Sequence, residues 1–307
     1  AALQLNGTAG EILGFQLDAA GDVNGDGFGD IVVAGRLRDA NGLTGAGRVS
    51  VHFGQPLDPP DSGPTLAASV PGEFGAALAT GDVNGDGFAD LAVVSPTRTT
   101  SAANGGVVEV FHGGPGGPDA TADWSLQSPQ ADAGFASVAI GDLDGDGYED
   151  LFVGASTWDD GETDEGIGWV FPGGASGLGA TEMWSAQGNI AGAHFGASVA
   201  IGDWTCDGWL DLAVGAPQYA NGEADEGAVY VFPRYGSGLA LSAAQVIEGR
   251  IRDAPRDTDV PRRLRAIILR GLAVDPRERY PSMDALLHLH HHSSDAEPSR
   301  ASFACTV

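Results

Sequence analysis

The sequence predicts an all-β protein in which four-stranded antiparallel sheets repeat radially, a β-propeller, and three observations indicate it. A ten-residue acidic stretch, GDVNGDGFGD at 21–30, recurs three more times along the chain. Short β-branched runs flank each copy, and 48 glycines and 17 prolines among 307 residues supply many turns. Because such internal repetition marks a unit that buries its apolar faces against its neighbours, the copies predict stacked repeats.

The period of the repeat is close to sixty residues. The later copies read GDVNGDGFAD at 81–90, GDLDGDGYED at 141–150 and the weaker GDWTCDGWLD at 202–211. Their first aspartates are Asp22, Asp82, Asp142 and Asp203, at intervals of 60, 60 and 61 residues. This regularity predicts about four equivalent units.

The same pieces surround each acidic stretch in the same order. A Phe-containing segment precedes it, such as HFGASVAI, and a short run such as DLAVGAP follows. A third apolar piece comes next, such as GVVEVFHG, and then a fourth, such as ADWSLQS. Each piece has the length and composition of a strand. Four short antiparallel strands in about sixty residues are typical of one propeller blade.

The order Phe-Gly, Asp-x-Asn/Asp-x-Asp-Gly-x-x-Asp-Leu and Gly-Ala-Pro resembles the FG-GAP repeat of the integrin α-subunit propeller and of many bacterial secreted or surface proteins. The clearest copies are HFGASVAIGD with DLAVGAP, and EFGAALATGDVNGDGFADLAVVSP. The resemblance covers residues 2–240, although the first copy departs from it with Gly-Phe-Gln at 14–16 and Ala-Gly at 34–35. Family propellers usually have seven blades, so this chain is a fragment, an open arc or a small closed ring. Open blade edges would favour self-association.

The acidic stretch has the ligand spacing of a calcium loop. Its side-chain oxygens fall at relative positions one, three, five and nine, with glycine at position six, as in the first part of an EF-hand loop. Two carboxylates about 4 Å apart repel by roughly 4 kcal/mol at an effective dielectric of about 20, and a bound divalent cation reverses that repulsion. Hard oxygen ligands suit Ca²⁺ rather than zinc.

We therefore predict three calcium sites and a weaker fourth. The first comprises Asp22, Asn24, Asp26, Asp30 and the carbonyl of Phe28; the second Asp82, Asn84, Asp86, Asp90 and the carbonyl of Phe88; the third Asp142, Asp144, Asp146, Asp150 and the carbonyl of Tyr148. The fourth retains Asp203, Asp207 and Asp211, but Thr205 and Cys206 replace a ligand and a glycine. The alternative for each loop is an Asx-turn whose aspartates bond only backbone amides.

Composition limits the partners of the chain. A net charge of -27 argues against nucleic-acid binding. No run of about 18 apolar residues is present, so membrane insertion is not expected. In the integrin-like arrangement that the resemblance implies, the acidic connections WDDGETDEG (158–166) and YANGEADEG (219–227) lie opposite the calcium loops, on the face where such propellers engage partners. An exposed Trp158 or Tyr219 could anchor a protein or glycan partner there. The alternative is that these aromatics cover a neighbouring blade.

Other aromatic and catalytic patterns add little to this interpretation. Five tryptophans in or beside predicted strands should pack between blades: Trp124, Trp169, Trp184, Trp204 and Trp209. No nucleophile is paired with a base at a recognisable spacing, and Gly-x-Ser-x-Gly, HExxH and P-loop motifs are absent from the sequence. We therefore predict no catalytic residues.

The chain changes character near residue 245, where arginines become frequent. We predict a propeller segment at 1–245, a two-helix fragment at 246–289 and a disordered tail at 290–307. The stretch PRRLRAIILRGLAVDPRERYPSMDALL resembles the last helices of the large lobe of bacterial serine/threonine protein kinases. The kinase Gly-rich loop, His-Arg-Asp and Asp-Phe-Gly motifs do not occur in the sequence, so kinase activity is not expected.

The leading functional hypothesis is a non-catalytic, calcium-stabilised adhesion or protein-interaction module. Two alternatives are the sensor-domain remnant of a bacterial serine/threonine kinase and a propeller hydrolase, since family members include phospholipase-type enzymes. Calcium at extracellular concentrations suits such sites. The start, AALQLNGTAG, lacks the features of a signal peptide, yet we expect the parent protein to be extracellular or at the cell surface.

Overall fold

The computed structural model describes residues 5–7, 11–36, 45–55, 61–220, 226–235, 238–239 and 245–248. Every regular element in these ranges is a β-strand, which confirms the predicted all-β class. The chain divides into two compact units, 1–246 and 247–307. Apart from residues 246–248, the predicted kinase-like fragment and the tail lie outside the described residues.

Four sheets of four antiparallel strands follow one another along the chain. The first sheet contains β1 (Leu13–Ala19), β2 (Ile31–Gly35), β3 (Arg48–Phe53) and β4 (Asp61–Ala67). The second contains β5 (Leu78–Gly81), β6 (Asp90–Ser95), β7 (Val107–Phe111) and β8 (Trp124–Gln127). The third contains β9 (Phe135–Gly141), β10 (Asp150–Ala155), β11 (Ile167–Phe171) and β12 (Trp184–Gln187).

The fourth sheet has the same order with one insertion. It contains β13 (Ser198–Gly202), β14 (Asp211–Ala216), β15 (Ala228–Phe232) and β18 (Gln245–Glu248). A small hairpin of β16 (Arg234–Tyr235) and β17 (Gly238–Leu239) precedes the last strand. Within each sheet, neighbours in sequence are neighbours in space, so the four sheets are the four predicted propeller blades.

The register places every acidic loop at the same end of its blade. The loop is closed by the pairs Ala19↔Ile31, Gly81↔Asp90, Gly141↔Asp150 and Gly202↔Asp211. Because the strands are antiparallel, the connections from second to third strands, including 158–166, lie at the opposite end.

The core lies between consecutive blades. Both β6 and β10 are buried along their whole length, as expected for strands covered on both faces. One apolar cluster joins the first two blades, a second joins the middle two, and a third joins the last two. The FG phenylalanines Phe74, Phe135 and Phe195 are buried in these clusters, whereas Phe15 of the first blade is 40% exposed.

The tryptophans only partly follow the prediction. Trp124 packs edge-to-face on Phe171 and Trp184 on Phe232, each pair crossing from one blade to the next. Trp169 packs edge-to-face on Phe135 of the same blade, in the apolar cluster between the second and third blades. The prediction is wrong for Trp204 and Trp209, which are 48% and 43% exposed because both lie on the fourth acidic loop.

Candidate metal centre

Each acidic loop turns tightly between the first two strands of its blade. In the first loop, Gly25 and Gly27 have φ values of 76° and 87°, in the left-handed region that L side chains rarely adopt. Gly85 and Gly87 repeat this conformation in the second loop. The alternating glycines therefore allow the chain to curl around its own acidic side chains.

The first acidic position organises the turn. One carboxylate oxygen of Asp22 accepts hydrogen bonds from the backbone N–H groups of Gly25 at 2.6 Å and Asp26 at 3.1 Å. Its other oxygen accepts from Gly27 N–H at 2.7 Å. In the second loop, Asp82 makes the same three bonds, to Gly85, Asp86 and Gly87.

The side chains at the third and fifth positions also accept hydrogen bonds from the backbone of the same turn. Asn24 Oδ1 accepts from Asp26 N–H, and Asp26 Oδ1 accepts from Phe28 N–H. Asn84 and Asp86 repeat these bonds in the second loop. These are the Asx-turn bonds of the alternative interpretation, and they also bring carboxylate and amide oxygens together in the loop.

The third loop gathers the tightest acidic group. Asp142, Asp144 and Asp146 each offer one carboxylate oxygen, and these atoms lie within 4.8 Å of one another. Burial raises the pKa of Asp144, and the neighbouring carboxylates Asp146 and Asp142 act in the same direction. Clustered hard oxygen donors of this kind fit a divalent cation such as Ca²⁺, which takes six to eight oxygen ligands.

The ninth position is a buried clamp in all four blades. Asp30, Asp90, Asp150 and Asp211 are at most 2% exposed. In the third blade, Asp150 accepts from the N–H of Leu143 at 2.8 Å within its own loop and from Gly173 at 2.9 Å after β11. Asp30, Asp90 and Asp211 make the equivalent pairs of bonds.

This clamp ties the acidic loop to the connection between the third and fourth strands. Burial raises the pKa of Asp90 and of Asp150 to about 6, against the opposing effect of their backbone hydrogen bonds. Burial also raises the pKa of Asp30. A carboxylate oxygen that accepts one hydrogen bond keeps a second lone pair, so these bonds leave the ninth-position aspartates able to bind an ion. Ligation by these aspartates, and by the carbonyls of Phe28, Phe88 and Tyr148, stays a prediction.

The fourth loop keeps the turn with fewer donors. Asp203 accepts from the N–H groups of Asp207 and Gly208, and Asp207 accepts from Trp209. Thr205 stands where the other loops carry Asn or Asp, and Cys206 adopts a φ of 56° at a glycine position. The lower calcium affinity of this loop stays a prediction.

The family comparison matches the same geometry repeat by repeat. The FG-GAP repeat model matches residues 14–52, 74–111, 134–171 and 195–232, each match running through a blade's first three strands and its acidic loop. This chain belongs to the FG-GAP repeat family.

Curated relatives of this FG-GAP chain include integrin subunits and an enzyme. Integrin alpha-V of Gallus gallus is 31% identical over 192 residues, 61% of this chain and 18% of that protein. Integrin alpha-PS2 of Drosophila melanogaster is 35% identical over 174 residues, 49% of this chain and 12% of that protein. Phosphatidylinositol-glycan-specific phospholipase D of Rattus norvegicus is 34% identical over 150 residues, 44% of this chain and 17% of that protein. The chain thus matches less than a fifth of the length of each.

Two residues that contact the FG-GAP loops were not predicted from the sequence. Glu149, at position eight of the third loop, reaches back and accepts from Asp82 N–H of the second loop at 2.7 Å. Burial raises the pKa of Glu149, and both Asp82 and Asp142 raise it further. Arg234, after the third strand of the fourth blade, contacts the third loop. Glu149 lies in the third acidic stretch at a position where the other copies carry Gly29, Ala89 and Leu210, and Arg234 lies outside the stretches. Only the fold therefore shows that each contacts the loop of the preceding blade.

The aromatics at the opposite end of the FG-GAP blades are packed. Trp158 is partly buried, packs against the middle apolar cluster and meets Trp169 edge-to-face at 5.2 Å. Tyr219 is 9% exposed and packs against Tyr230. Both aromatics thus pack on a neighbouring aromatic ring, and a role of Trp158 in partner binding stays a prediction. Residues 221–225 of the second connection lie outside the described ranges.

Among the described residues, no helix is long and apolar enough to cross a bilayer.

Proposed function

We propose that this FG-GAP propeller segment is a non-catalytic calcium-binding module that serves adhesion or protein interaction. One observation carries the calcium part: three successive loops present the same curled arrangement of acidic oxygens, and in the third these lie within 4.8 Å of one another. Such a group is costly without a counter-cation because like charges at this separation repel. Calcium removes that repulsion and cross-links the turn.

The role proposed for calcium is structural. The oxygens of each loop serve the ion and the turn, and each loop contacts the next blade through its backbone. Ala89 N–H bonds Asp22 O, and Glu149 N–H bonds Asp82 O. An ion that orders one loop therefore also orders the surface on which the next blade rests.

The interaction part rests on the exposed ends of the blades. In the third blade, Asp159, Asp160 and Glu162 are exposed at the end opposite the acidic loops. We propose that a protein or glycan partner is engaged through these polar connections, beside the partly buried Trp158. Extracellular or cell-surface placement of the parent protein follows from the proposed calcium dependence, since extracellular modules bind calcium at about 10⁻⁴–10⁻³ M.

The first blade suggests where self-association would occur. Phe15, Leu17 and Phe28 are 40%, 67% and 41% exposed, whereas the phenylalanines equivalent to Phe15 are buried in the later blades. A second chain that covered this face would bury apolar area of the kind that already joins consecutive blades.

A hydrolase is the second candidate, because the relatives include a phospholipase D. The match covers only 17% of that enzyme. Hydrolase activity of this protein is therefore a separate proposal, which the matched propeller repeats do not support by themselves. The kinase-remnant alternative concerns residues 246–289, nearly all outside the described ranges. Titration with ATP and magnesium tests it, since a remnant with a working nucleotide site would bind ATP.

Calorimetric titration of metal-stripped full-length chain tests the calcium proposal. We expect about three calcium equivalents and a rise in melting temperature. The triple variant D26A/D86A/D146A should abolish both effects. The matched control D119A/E162A/E182A removes three exposed acidic groups outside the loops and should keep both. An unchanged isotherm in the loop variant, or no binding in the parent chain, would refute the proposal.

A further inference from the structure

The junction between the third and fourth blades differs from the two before it. At the first junction, the ring of Phe88 covers Gly25 so closely that a Cβ there would lie 2.4 Å from it. At the second junction, the ring of Tyr148 covers Gly85, at 2.6 Å from a Cβ. In both, the aromatic residue at position seven of one loop packs over the glycine at position four of the preceding loop.

At the third junction a cation takes the place of the ring. A Cβ on Gly145 would lie 2.0 Å from Arg234 Nη2, and that nitrogen donates to the backbone carbonyl of Asp144 at 2.5 Å. Trp209, the position-seven residue, instead stacks on the guanidinium, whose Cζ lies 3.8 Å from the ring centre. The fourth blade therefore presents a positive charge to the third acidic loop.

Arg234 places a charged side chain at a position where the other three blades have glycine. Its backbone N–H donates to Asp211 at 3.0 Å, the bond that Gly54, Gly113 and Gly173 make to the ninth-position aspartates. The side chain is 2% exposed, and its Nε has no hydrogen-bond partner. A buried guanidinium with a spare donor needs negative charge close by.

At the predicted ligand positions, the third loop carries one more negative charge than the first two. Position three is Asn24 in the first loop and Asn84 in the second, but Asp144 in the third. At positions one, three, five and nine the first two loops therefore each contribute three carboxylates and the third contributes four, while Glu149 at position eight bonds the second loop instead. Adding the guanidinium brings the formal charge of the third site from -4 to -3, the value of the other two.

We propose that Arg234 is a resident counter-cation of the third acidic loop and lowers that loop's affinity for calcium. This inference rests on the proposed calcium function and names the residue that sets the affinity of one site. A unit positive charge several ångström from a divalent ion repels it, and with the screening expected at an exposed loop this weakens binding on the order of tenfold. The buried guanidinium cannot move away into solvent when the ion binds.

The test isolates the third loop. In the background D26A/D86A, which removes ligands from the first two loops, calorimetric titration with CaCl₂ compares Arg234 with the variants R234Q and R234K. Gln keeps a donor for the Asp144 carbonyl and removes the charge, whereas Lys keeps the charge. We expect R234Q to raise the association constant about tenfold and R234K to leave it within about twofold. Melting of each metal-free variant, followed by circular dichroism, verifies folding.

A second neutral variant, R234M, keeps the test decisive if R234Q fails to fold, because its unbranched side chain can fill the space beneath Trp209 without a charge, and it should raise the association constant as R234Q does. A further pair of variants tests the charge balance of the loop. D144N gives the third loop the side chain of the first two while Arg234 remains, so calcium affinity should fall about tenfold. The double variant D144N/R234Q should recover the affinity of the parent loop. An unchanged or lower affinity in a folded neutral variant of Arg234, or no recovery in a folded D144N/R234Q, would overturn the inference while three bound equivalents in the parent chain leave the calcium function standing. Loss of all binding in the parent chain would instead overturn both.

Discussion

The FG phenylalanine of the fourth repeat offers a direct measure of how firmly consecutive blades hold each other. Phe195 is fully buried, and its ring meets Tyr230 at 5.0 Å and Phe232 at 6.2 Å, both edge-to-face. Its backbone bridges Gly166 of the preceding blade. The substitution Phe195→Ala therefore removes a ring from the interface of two blades without touching an acidic loop.

The expected cost follows from this burial. A buried Phe→Ala change costs about 3–5 kcal/mol, and the two edge-to-face pairs place Phe195 in the upper part of that range. For a domain of this size, each kcal/mol lowers the melting temperature by about 2–4 °C, so a fall of roughly 10 °C is expected. Thermal unfolding followed by circular dichroism, at fixed calcium, measures it.

Phe15 provides a matched control at the same repeat position. Its ring is 40% exposed, and its described contact is with the guanidinium of Arg36, whose Cζ lies 4.7 Å from the ring centre. Phe15→Ala should therefore cost about 1 kcal/mol or less. If the two variants melt within about 2 °C of each other, the FG phenylalanine does not act through the preceding blade and the reasoning fails.

Three further predictions concern other parts of the blades. Glu11→Ala should lower the free energy of unfolding in urea by about 3–5 kcal/mol, because it leaves the mostly buried Arg48 without its ion-pair partner. Glu73→Ala breaks a more exposed ion pair with Arg36 and should cost about 1 kcal/mol or less. Gly166→Ala should prevent folding, since its φ is 78° and a Cβ would lie 2.1 Å from Phe195 O, while Gly161→Ala, with open space around it, should express as folded protein. Burial and Arg48 lower the pKa of His52, so the folded state favours the neutral ring and the contribution of His52 to stability is lost as pH drops below about 6.5. Protonation of Asp90 and Asp150, whose pKa burial raises to about 6, acts in the opposite direction, so the measurement is the difference between the parent and His52→Gln profiles: the variant should lose less stability below pH 6.5, and identical profiles would contradict the assignment.

The repeat made most of the fold accessible from sequence. Four strands per sixty residues can be recognised because apolar runs such as DLFVGA at 150–155 recur in register with the acidic stretch, and β10 spans those six residues. Periodicity could not predict which aromatics would be buried. Trp158 and Trp209 both follow short strands in acidic surroundings, yet one packs on Trp169 and the other stacks on Arg234 at the surface.

In the candidate site, too, contacts within one loop are predictable from the sequence and contacts between distant segments are not. Local spacing predicts the acidic residues at positions one, three and five because their bonds stay within the loop. The clamp at position nine depends on a second connection more than twenty residues away, such as Gly113 for Asp90. Glu149 and Arg234 come from the next blade, so no spacing within one repeat could reveal them.

These cross-blade contacts give the acidic loops a role beyond holding an ion. Val23 O and Val83 O, at position two of the first two loops, accept from Gly114 and Gly174 of the following blades. Asp22 O and Asp82 O accept from the following acidic loops. Because one short segment carries both the acidic side chains and the carbonyls that the next blade binds, any ligand that orders the side chains also fixes the interface. Under the proposed calcium function, an ion that orders a loop should therefore also support the docking of the next blade. At the junction with the fourth blade, the Arg234 side chain makes the corresponding contact by donating to the carbonyl of Asp144.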